Sequence, residues 1–402
     1  MARGQLLALL QMAWVAAALS FHAPVPLRRT AATGASLRRA LGSRPGERVR
    51  GGQHAALRAW ASQSFRTEVF VQPMPTQIEL EDRLLLMGSC FSENIGARLQ
   101  RLKFAVDVNP FGICYNPLSL AWSLERLLKE TPFTPQDVVC SRGRYFSYNF
   151  HSSFTSGDGE TTLAAMNAAH QRGRRALSEA KVLFLTLGSA FAWRHSDGTL
   201  VANCHKQPGS LFTKVLVSPT EIEDALLAAI QRCRDFNPQL KVVLTVSPVR
   251  HWREGAMENA RSKAALIVAA QALRERSPHF QYFPSYEIMM DDLRDYRFYA
   301  SDMLHPSADA VHYIWLKLQA ACFAPSCLDA FERLDALERA VRHKPFDATS
   351  REYQTFCLRH LQQISSLEAD FPHMDLASER AHFQSSLAGR IDQAAFGDRR
   401  LG

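Results

Sequence analysis

Short apolar runs alternate along the chain with segments whose apolar positions recur at helical spacing. Three runs are nearly unbroken, at 84–87, 182–187 and 242–246, and two weaker ones lie at 104–108 and 280–283. Unbroken runs of this length are typical of strands buried on both faces, whereas the periodic segments indicate amphipathic helices. Helices are predicted over 92–102, 118–128, 221–234 and 256–276, and from Pro306 onward. Strands alternating with helices predict an α/β fold of three layers, α/β/α, around a parallel sheet.

Two parts of the chain fit this alternation less well. Residues 130–180 carry weak patterns around the aromatic cluster YFSYNFH at 145–151, which we interpret as a hairpin or an insertion over the sheet. Beyond Pro325 the chain is charged and has helical spacing over 328–342 and 350–367. We therefore expect a main domain over 67–325 and a C-terminal helical extension over 326–402 that packs on it.

The net charge of +8 is concentrated at the N-terminus. Residues 1–66 hold ten Arg, no Lys and one acidic residue, Glu47, so this segment carries +9. Arg3 precedes an apolar run at 6–19 that ends in Ala-Leu-Ser, as in a signal peptide, and the Arg-, Ala- and Ser-rich stretch that follows resembles a transit peptide. We expect residues 1–66 to be a bipartite presequence, removed or disordered, that directs the protein to a plastid. The alternative is a secreted or endomembrane protein with a basic linker.

The rest of the composition excludes several classes of partner. After position 66 there are 37 basic and 38 acidic residues without a basic stripe, which argues against a nucleic-acid partner. The eight cysteines are scattered without a CxxC pair, so their spacing favours neither a disulfide framework nor a zinc site. No later segment approaches a membrane span, and we expect no stable membrane insertion, no cofactor and no metal.

Ser89 is the first candidate for chemistry. It directly follows the first apolar run and precedes a helix. Ligands of parallel sheets bind beyond the carboxyl ends of the strands, and the backbone N–H groups of a helix start favour developing negative charge. Ser89 therefore has the position expected of an acyl-transfer nucleophile. The ordinary alternative is that its hydroxyl only caps the helix.

Asp302 and His305 are the second candidate feature. They stand three residues apart, directly before the helix begun by Pro306. Across such a turn the carboxylate can bind its own imidazole, which fixes the tautomer and leaves the other ring nitrogen as a base. A serine after the first strand and an Asp–His pair after the last would supply a Ser–His–Asp triad.

Five segments carry a family pattern: GSCF at 88–91, NPFGICYNPLSL at 109–120, NCHK at 203–206, SPVRH at 247–251 and FPSYEIMMDDLRDYRFYASDMLHPS at 283–307. They resemble the GSCFA domain family, a branch of the GDSL/SGNH hydrolase superfamily with a flavodoxin-like α/β/α fold. This resemblance implies that Ser89 is the nucleophile and that Asp302 and His305 complete the triad. It also implies that the N–H groups of Ser89 and Gly112 form the oxyanion hole.

One position departs from the superfamily pattern. Its third block reads Gly-x-Asn-Asp, and the Asn donates to the oxyanion, whereas this chain has Ala190 in its place. Losing one such donor typically lowers the rate by about 10²–10³. Asn203 and His205 both carry donors and are the candidate replacements, with ordinary loop hydrogen bonding as the alternative.

Other polar residues have candidate roles near the same sheet edge. Arg250 and His251 follow a strand and could bind an anionic or sugar group, or take part in structural salt bridges. Cys90 is a weaker candidate nucleophile, because its side chain should point away from that of Ser89. A metal site is also possible on one helix, with His305, Asp309 and His312 as its ligands. It would divert His305 from its role as base, and it has no set of thiols or carboxylates to complete it.

Three functions remain open on the sequence. The first is an esterase or deacylase that removes an acyl group from a carbohydrate, lipid or small-metabolite ester. The second is an O-acyltransferase that uses the same triad. The third is a non-catalytic binding module on this fold, which Ala190 favours mildly and the intact Ser-Asp-His set disfavours.

Overall fold

The computed structural model describes residues 67–397, with side chains to residue 387. Its first half contains β1 (Leu84–Gly88), α1 (Cys90–Arg101), β2 (Val106–Val108), α2 (Pro117–Leu128), β3 (Val139–Ser141), β4 (Arg144–Phe146), α3 (Gly159–Glu179), β5 (Val182–Leu187), β6 (Phe191–His195), β7 (Leu200–Val201) and β8 (Phe212–Leu216). Its second half contains α4 (Pro219–Phe236), β9 (Lys241–Val246), α5 (Gly255–Arg276), β10 (Phe280–Phe283), α6 (Ser285–Met290), α7 (Ala308–Cys322), α8 (Pro325–Arg342), α9 (Arg351–Asp370) and α10 (Ala377–Gly397). The predicted presequence lies outside the described residues.

The central sheet has five strands in the order β10-β9-β5-β1-β2, and every neighbouring pair is parallel. Numbered along the chain, this order is 2-1-3-4-5, the flavodoxin-like arrangement, in which ligands bind where the winding reverses, between the first and third strands. Those two strands are β1 and β5, which pair from Leu84 with Val182 to Gly88 with Thr186. The predicted three-layer α/β/α fold is confirmed.

Alternate residues of the strands enter two separate cores. Leu84 and Leu86 pack on one face of the sheet, in a core that includes Leu99 of α1 and Ile314 of α7. Leu85 and Met87 pack on the other face, in a core built with α2, α3, α4 and α5. Because both faces are covered, the strands need apolar residues at every position, which is the reason for their unbroken apolar runs.

The C-terminal helices belong to the first of these cores. Leu334 of α8, Tyr353 of α9 and Phe383 of α10 are buried in the same cluster as Leu99. A partly buried ion pair between Lys103 and Glu379 also joins α10 to the turn after α1. The charged helical spacing beyond Pro325 therefore reflects helices that bury one face and expose the other.

The weakly patterned regions form two small antiparallel sheets and a long helix. β3 and β4 form a hairpin, and β6 pairs with both β7 and β8. The hairpin agrees with one of the two interpretations of this region, whereas the 21-residue α3 and the sheet over 191–216 are not predicted. No helix in the described part of the chain is long and apolar enough to cross a membrane.

Candidate functional site

The turn between β1 and α1 depends on a glycine followed by a capping serine. Gly88 has φ +137°, and a Cβ there would lie 2.2 Å from the Thr186 carbonyl oxygen. Ser89 is extended, with φ −71° and ψ 175°, and its Oγ accepts a hydrogen bond from the Phe91 N–H at 3.3 Å. Its side chain is fully buried. The capping role of Ser89 is therefore present in this conformation, together with the position that a nucleophile would need.

Residues 109–116 cross the carboxyl ends of β1 and β5. The Gly88 N–H donates to Asn109 Oδ1 at 2.8 Å, and the Cys114 N–H donates to the Gly88 oxygen at 3.0 Å. The Tyr115 oxygen accepts from the N–H groups of both Gly188 and Ser189 at 2.9 Å. This crossing segment therefore fixes the two strand ends relative to each other beside Ser89.

The two amides assigned to the oxyanion hole have partners in this structure. The Ser89 N–H donates to the Thr186 oxygen at 3.2 Å, and the Gly112 N–H donates to the Asn109 oxygen at 2.7 Å. Gly112 has φ +82°, and a Cβ there would lie 2.2 Å from the Cβ of His151, so glycine is required. The oxyanion assignment stays a prediction, and it requires that these hydrogen bonds open.

Asp302 and His305 form the expected pair. His305 Nδ1 lies 2.6 Å from Asp302 Oδ2, and Asp302 Oδ1 accepts from the N–H groups of Leu304 at 2.9 Å and His305 at 3.0 Å. The two backbone N–H donors, followed by the imidazole, lower the pKa of Asp302 to about 2. The side chains of His305 and Asp302 are 48% and 45% exposed. Within residues 67–387 no hydrogen bond joins His305 to Ser89, so the pair is formed but the triad is not closed.

Arg250 supports the loop that carries this pair. Its N–H donates to the Leu304 oxygen and its Nη1 to the Met303 oxygen, both at 3.1 Å. Its guanidinium lies 3.8 Å from the ring centre of Trp252. These contacts connect the carboxyl end of β9 to the Asp302–His305 loop. The substrate-binding assignment of Arg250 stays a prediction, but a positioning role follows from its contacts.

His251 contacts the crossing segment through Tyr115. Its N–H donates to Asn259 Oδ1 at 2.9 Å, and its ring centre lies 5.2 Å from that of Tyr115 in an edge-to-face arrangement. Burial, followed by the charges of Lys263 and His305, lowers the pKa of His251 to about 3. Nε2 of His251 is buried and has no hydrogen-bond partner among the described residues. The imidazole is therefore neutral at neutral pH and retains an unused nitrogen beside the site.

Asn203 and His205, the candidate replacement donors, hold a loop together. His205 Nε2 lies 2.8 Å from the Ser147 oxygen and 3.0 Å from the Phe150 oxygen, and its ring stacks on Phe146 at 4.4 Å. Asn203 Oδ1 accepts from the His205 N–H at 2.9 Å. The alternative of ordinary loop hydrogen bonding describes these contacts, and a role for either residue as oxyanion donor stays a prediction.

Ala190, at the position that departs from the sequence pattern, also lies in the interior. Ala190 is fully buried, and its N–H donates to Ser262 Oγ at 2.8 Å. Ser189 Oγ lies 3.3 Å from the same hydroxyl. The backbone after β5 is thus fixed by a serine of α5.

The sequence analysis missed Lys263 of α5. Its side chain is almost completely buried, and Nζ donates to the Gly188 oxygen at 2.8 Å and the Ser247 oxygen at 2.7 Å. Burial lowers the pKa of Lys263 to about 7. The burial of Lys263 could have been predicted from its helical spacing, because it stands on one buried helix face with Asn259 and Leu266. Lysine on such a face indicates an interior partner, and here that partner is the carboxyl ends of β5 and β9.

The metal and thiol alternatives have little support from the geometry. In the described part of the chain, no three His, Cys, Asp or Glu side chains are arranged to hold a metal ion. His312 instead has its Nδ1 3.0 Å from an Arg98 guanidinium nitrogen. Burial raises the pKa of the Cys90 thiol, which disfavours the thiolate form that a nucleophile requires.

Comparison with known proteins identifies the family. Residues 83–318 match the GSCFA family, and residues 334–389 match the C-terminal domain of GSCFA domain proteins. A comparison with curated proteins gave no significant match. Among solved structures, a Streptococcus pneumonia protein provisionally described as a platelet activating factor is 15% identical, with a TM-score of 0.31 over 60% of this chain and 83% of that one. The family match spans more than half of the chain, and the protein belongs to the GSCFA family.

Proposed function

We propose that this protein is a serine hydrolase of the SGNH type that cleaves O-acyl esters through an acyl-enzyme on Ser89. The observation that carries the proposal is the preformed Asp302–His305 pair, with 2.6 Å between Oδ2 and Nδ1. Arg250 connects the loop of this pair to the same edge of the sheet at which Ser89 follows β1. A nucleophile and an oriented base on one sheet edge are the main requirements of acyl transfer.

In the proposed reaction Ser89 Oγ attacks the ester carbonyl carbon while His305 Nε2 takes its proton. Asp302 holds the Nδ1–H and stabilises the imidazolium that forms. The tetrahedral intermediate expels the alcohol, which leaves with the proton returned by His305. Water then attacks the acyl-enzyme with His305 as base, releasing a carboxylic acid and restoring Ser89.

This reaction requires a conformation more open than the one described. Ser89 is fully buried, its Oγ is used in the helix cap, and the two assigned oxyanion amides have carbonyl partners. Acylation therefore includes a step in which the crossing segment 109–116 and the end of β5 move, since the Ser89 N–H donates to Thr186 of β5, and in which His305 approaches Ser89. Such gating motions commonly limit turnover in hydrolases with enclosed sites.

Two other functions are consistent with the same residues. An O-acyltransferase would pass the acyl group from Ser89 to an alcohol instead of water, and the partition of the acyl-enzyme between water and added alcohols separates the two. A non-catalytic binding module is favoured by one specific observation, the enclosed Ser89 acting as a helix cap. Labelling of Ser89 separates that function from both enzymes.

The decisive experiment is labelling of the full chain with a fluorophosphonate probe. We expect wild-type protein to be labelled and Ser89→Ala to lose the label. Ser92→Ala is the matched control, because Ser92 is a buried serine in α1, the helix that Ser89 caps. The Ser92 hydroxyl donates to the Thr186 hydroxyl at 2.8 Å. It should keep the label. If wild-type protein takes no label and leaves p-nitrophenyl acetate intact, the hydrolase proposal is wrong.

Localisation is a separate proposal. We propose that residues 1–66 direct the protein to a plastid, supported by the concentration of Arg and the near absence of acidic residues in that segment. A fusion of these residues to a fluorescent protein tests this. Fluorescence in the medium or at the cell surface would contradict it.

A further inference from the structure

We propose that a basic, aromatic cleft beside Ser89 binds the alcohol part of the substrate, and that this alcohol is a sugar bearing an anionic group. The proposal rests on the proposed function, because it identifies what the acyl group is attached to. The anionic group can be a carboxylate, sulfate or phosphate, which share the chemistry argued below.

The cleft is lined by residues of the crossing segment, of the sheet β7-β6-β8 and of the loop 203–207. Its volume is about 570 Å³, enough for one or two sugar units. Ile113 and Tyr115 line one end; they flank Cys114, whose N–H binds the Gly88 oxygen next to Ser89. A ligand in this cleft would therefore have one end near the nucleophile and the other against the loop 203–207.

The charge of the cleft is positive and uncompensated. Lys206 and Arg253 line it, and neither has a carboxylate within salt-bridge distance among residues 67–387. No Asp or Glu lines the cleft or the adjoining hollow of about 390 Å³, which adds Arg142 and Arg144. After position 66 the chain is nearly neutral, so a group of unpaired cations around one cavity is a local feature that favours an anionic ligand.

A hollow elsewhere on the protein provides a contrast. It is about 440 Å³ in volume and is also lined by basic side chains, Arg101 and Lys103. There, however, both cations have partners in the lining itself, since Arg101 pairs with Glu338 and Lys103 pairs with Glu379. The cations of the cleft beside Ser89 remain available to a ligand.

Aromatic rings supply the second element of recognition. Tyr115, Trp193 and Phe212 line the cleft, and Trp193 and Phe212 come from the paired strands β6 and β8. The negative face of an aromatic ring attracts the polarised C–H groups of a sugar face. Rings and unpaired cations in one cavity therefore fit a sugar with an acidic substituent better than a plain lipid chain, which would need no cations.

The loop that carries Lys206 is held in a strained form. His205 and Lys206 have φ values of +47° and +56°, two successive residues in the left-handed region. Such conformations cost energy and persist where the surroundings impose them, often at binding sites. Here the His205 imidazole, bonded to the Ser147 and Phe150 oxygens, imposes it and fixes the backbone from which Lys206 extends.

The test measures binding to the Ser89→Ala protein, in which no turnover occurs. The probes are O-acetylated methyl glucuronide and the neutral O-acetylated methyl glucoside, followed by the 6-sulfate and 6-phosphate of the glucoside to distinguish sources of the anion. We expect at least one anionic probe to bind about tenfold more tightly than the neutral one at low salt, with the difference reduced at high salt.

Removing the cations provides the second arm. Lys206→Met combined with Arg253→Met should abolish the preference for the anionic probe. Arg261→Met is the matched control, because Arg261 lies on the surface of α5 in a pair with Glu258, and it should keep the preference. Equal binding of neutral and anionic probes, or a preference that survives in the double variant, would overturn the proposal.

The outcomes for the two proposals are distinct. Fluorophosphonate labelling of Ser89 without an anionic preference would leave the hydrolase proposal standing and reject the cleft proposal. An anionic preference in a protein that takes no label would reject the hydrolase proposal, and with it the assignment of the cleft to the alcohol part of a substrate. It would leave an anion-binding cleft and favour the binding module.

Discussion

Replacing Asp302 by Asn is the perturbation that most directly tests the role of the Asp302–His305 pair. Asn keeps the oxygen that accepts from the backbone N–H groups of Leu304 and His305. It replaces Oδ2, which binds His305 Nδ1 at 2.6 Å, with an NH₂ group. An NH₂ donor facing Nδ1 selects the tautomer with its proton on Nε2, which cannot accept the proton of Ser89.

The size of the effect follows from this geometry. In Ser–His–Asp hydrolases, placing the imidazole in the wrong tautomer lowers the rate by about 10⁴. Stability should change little, because both side chains are about half exposed and the loop keeps its backbone hydrogen bonds. The pKa of Asp302 is lowered to about 2, so its carboxylate is charged throughout the usual assay range. Ionisation of Asp302 therefore contributes no pH dependence of its own to the loss of rate from pH 6 to pH 9.

The assay is hydrolysis of p-nitrophenyl acetate together with the rate of fluorophosphonate labelling, with Tm as a control for folding. Asp309→Asn is a matched control, since Asp309 stands in the first turn of α7 shortly after the pair. It should leave both rates within about threefold of wild type. A folded Asp302→Asn protein that retains more than a tenth of wild-type activity would refute the reasoning that His305 is the base.

Three further predictions concern the surroundings of the pair. Gly112→Ala should lower the free energy of unfolding by about 1–3 kcal/mol more than Gly143→Ala in urea titrations, because both residues have positive φ but only Gly112 would place a Cβ against another side chain. The folded state holds His251 neutral to about pH 3 while the unfolded chain protonates near pH 6.5, so stability should fall as pH drops from about 6.5 to 3. His251→Phe should make that fall shallower, and an unchanged slope would contradict the assignment. Arg250→Ala should slow labelling about tenfold with little change in Tm, since its side chain holds the Met303 oxygen, and an unchanged labelling rate would contradict its positioning role.

The parts of the fold predicted from sequence are those in which one residue pattern has one structural solution. The unbroken runs at β5 and β9 are typical of interior strands, and their bounds differ from the prediction by at most one residue. The helix α3 gives no comparable signal, because its buried face is formed largely by small or polar residues such as Ala169, His170 and Gly173. Its burial depends on tertiary neighbours that periodicity does not report.

The candidate site likewise has contacts that the sequence predicts and contacts that it does not. The contact of Asp302 with His305 is local and follows from three-residue spacing across a turn. The use of the Ser89 N–H depends on Thr186 of β5, which is far away in the chain, and the crossing segment binds the neighbouring Gly88. The same holds for Lys263, whose acceptors follow two different strands. Sequence patterns can indicate which residues belong to the candidate site, but not which of them already have hydrogen-bond partners.

In the proposed reaction, the crossing segment 109–116 would couple ligand binding to chemistry. Its Cys114 N–H binds the oxygen of Gly88, beside the buried Ser89, while Tyr115 faces the basic cleft. Movement of this backbone would therefore change both the surroundings of Ser89 and the end of the cleft. A ligand that binds the cleft more tightly when the segment is displaced shifts the population toward reactive protein by the ratio of its two affinities. Small esters that do not reach the cleft receive no such help, so turnover of the full substrate should exceed theirs even when the ester bonds are chemically equivalent.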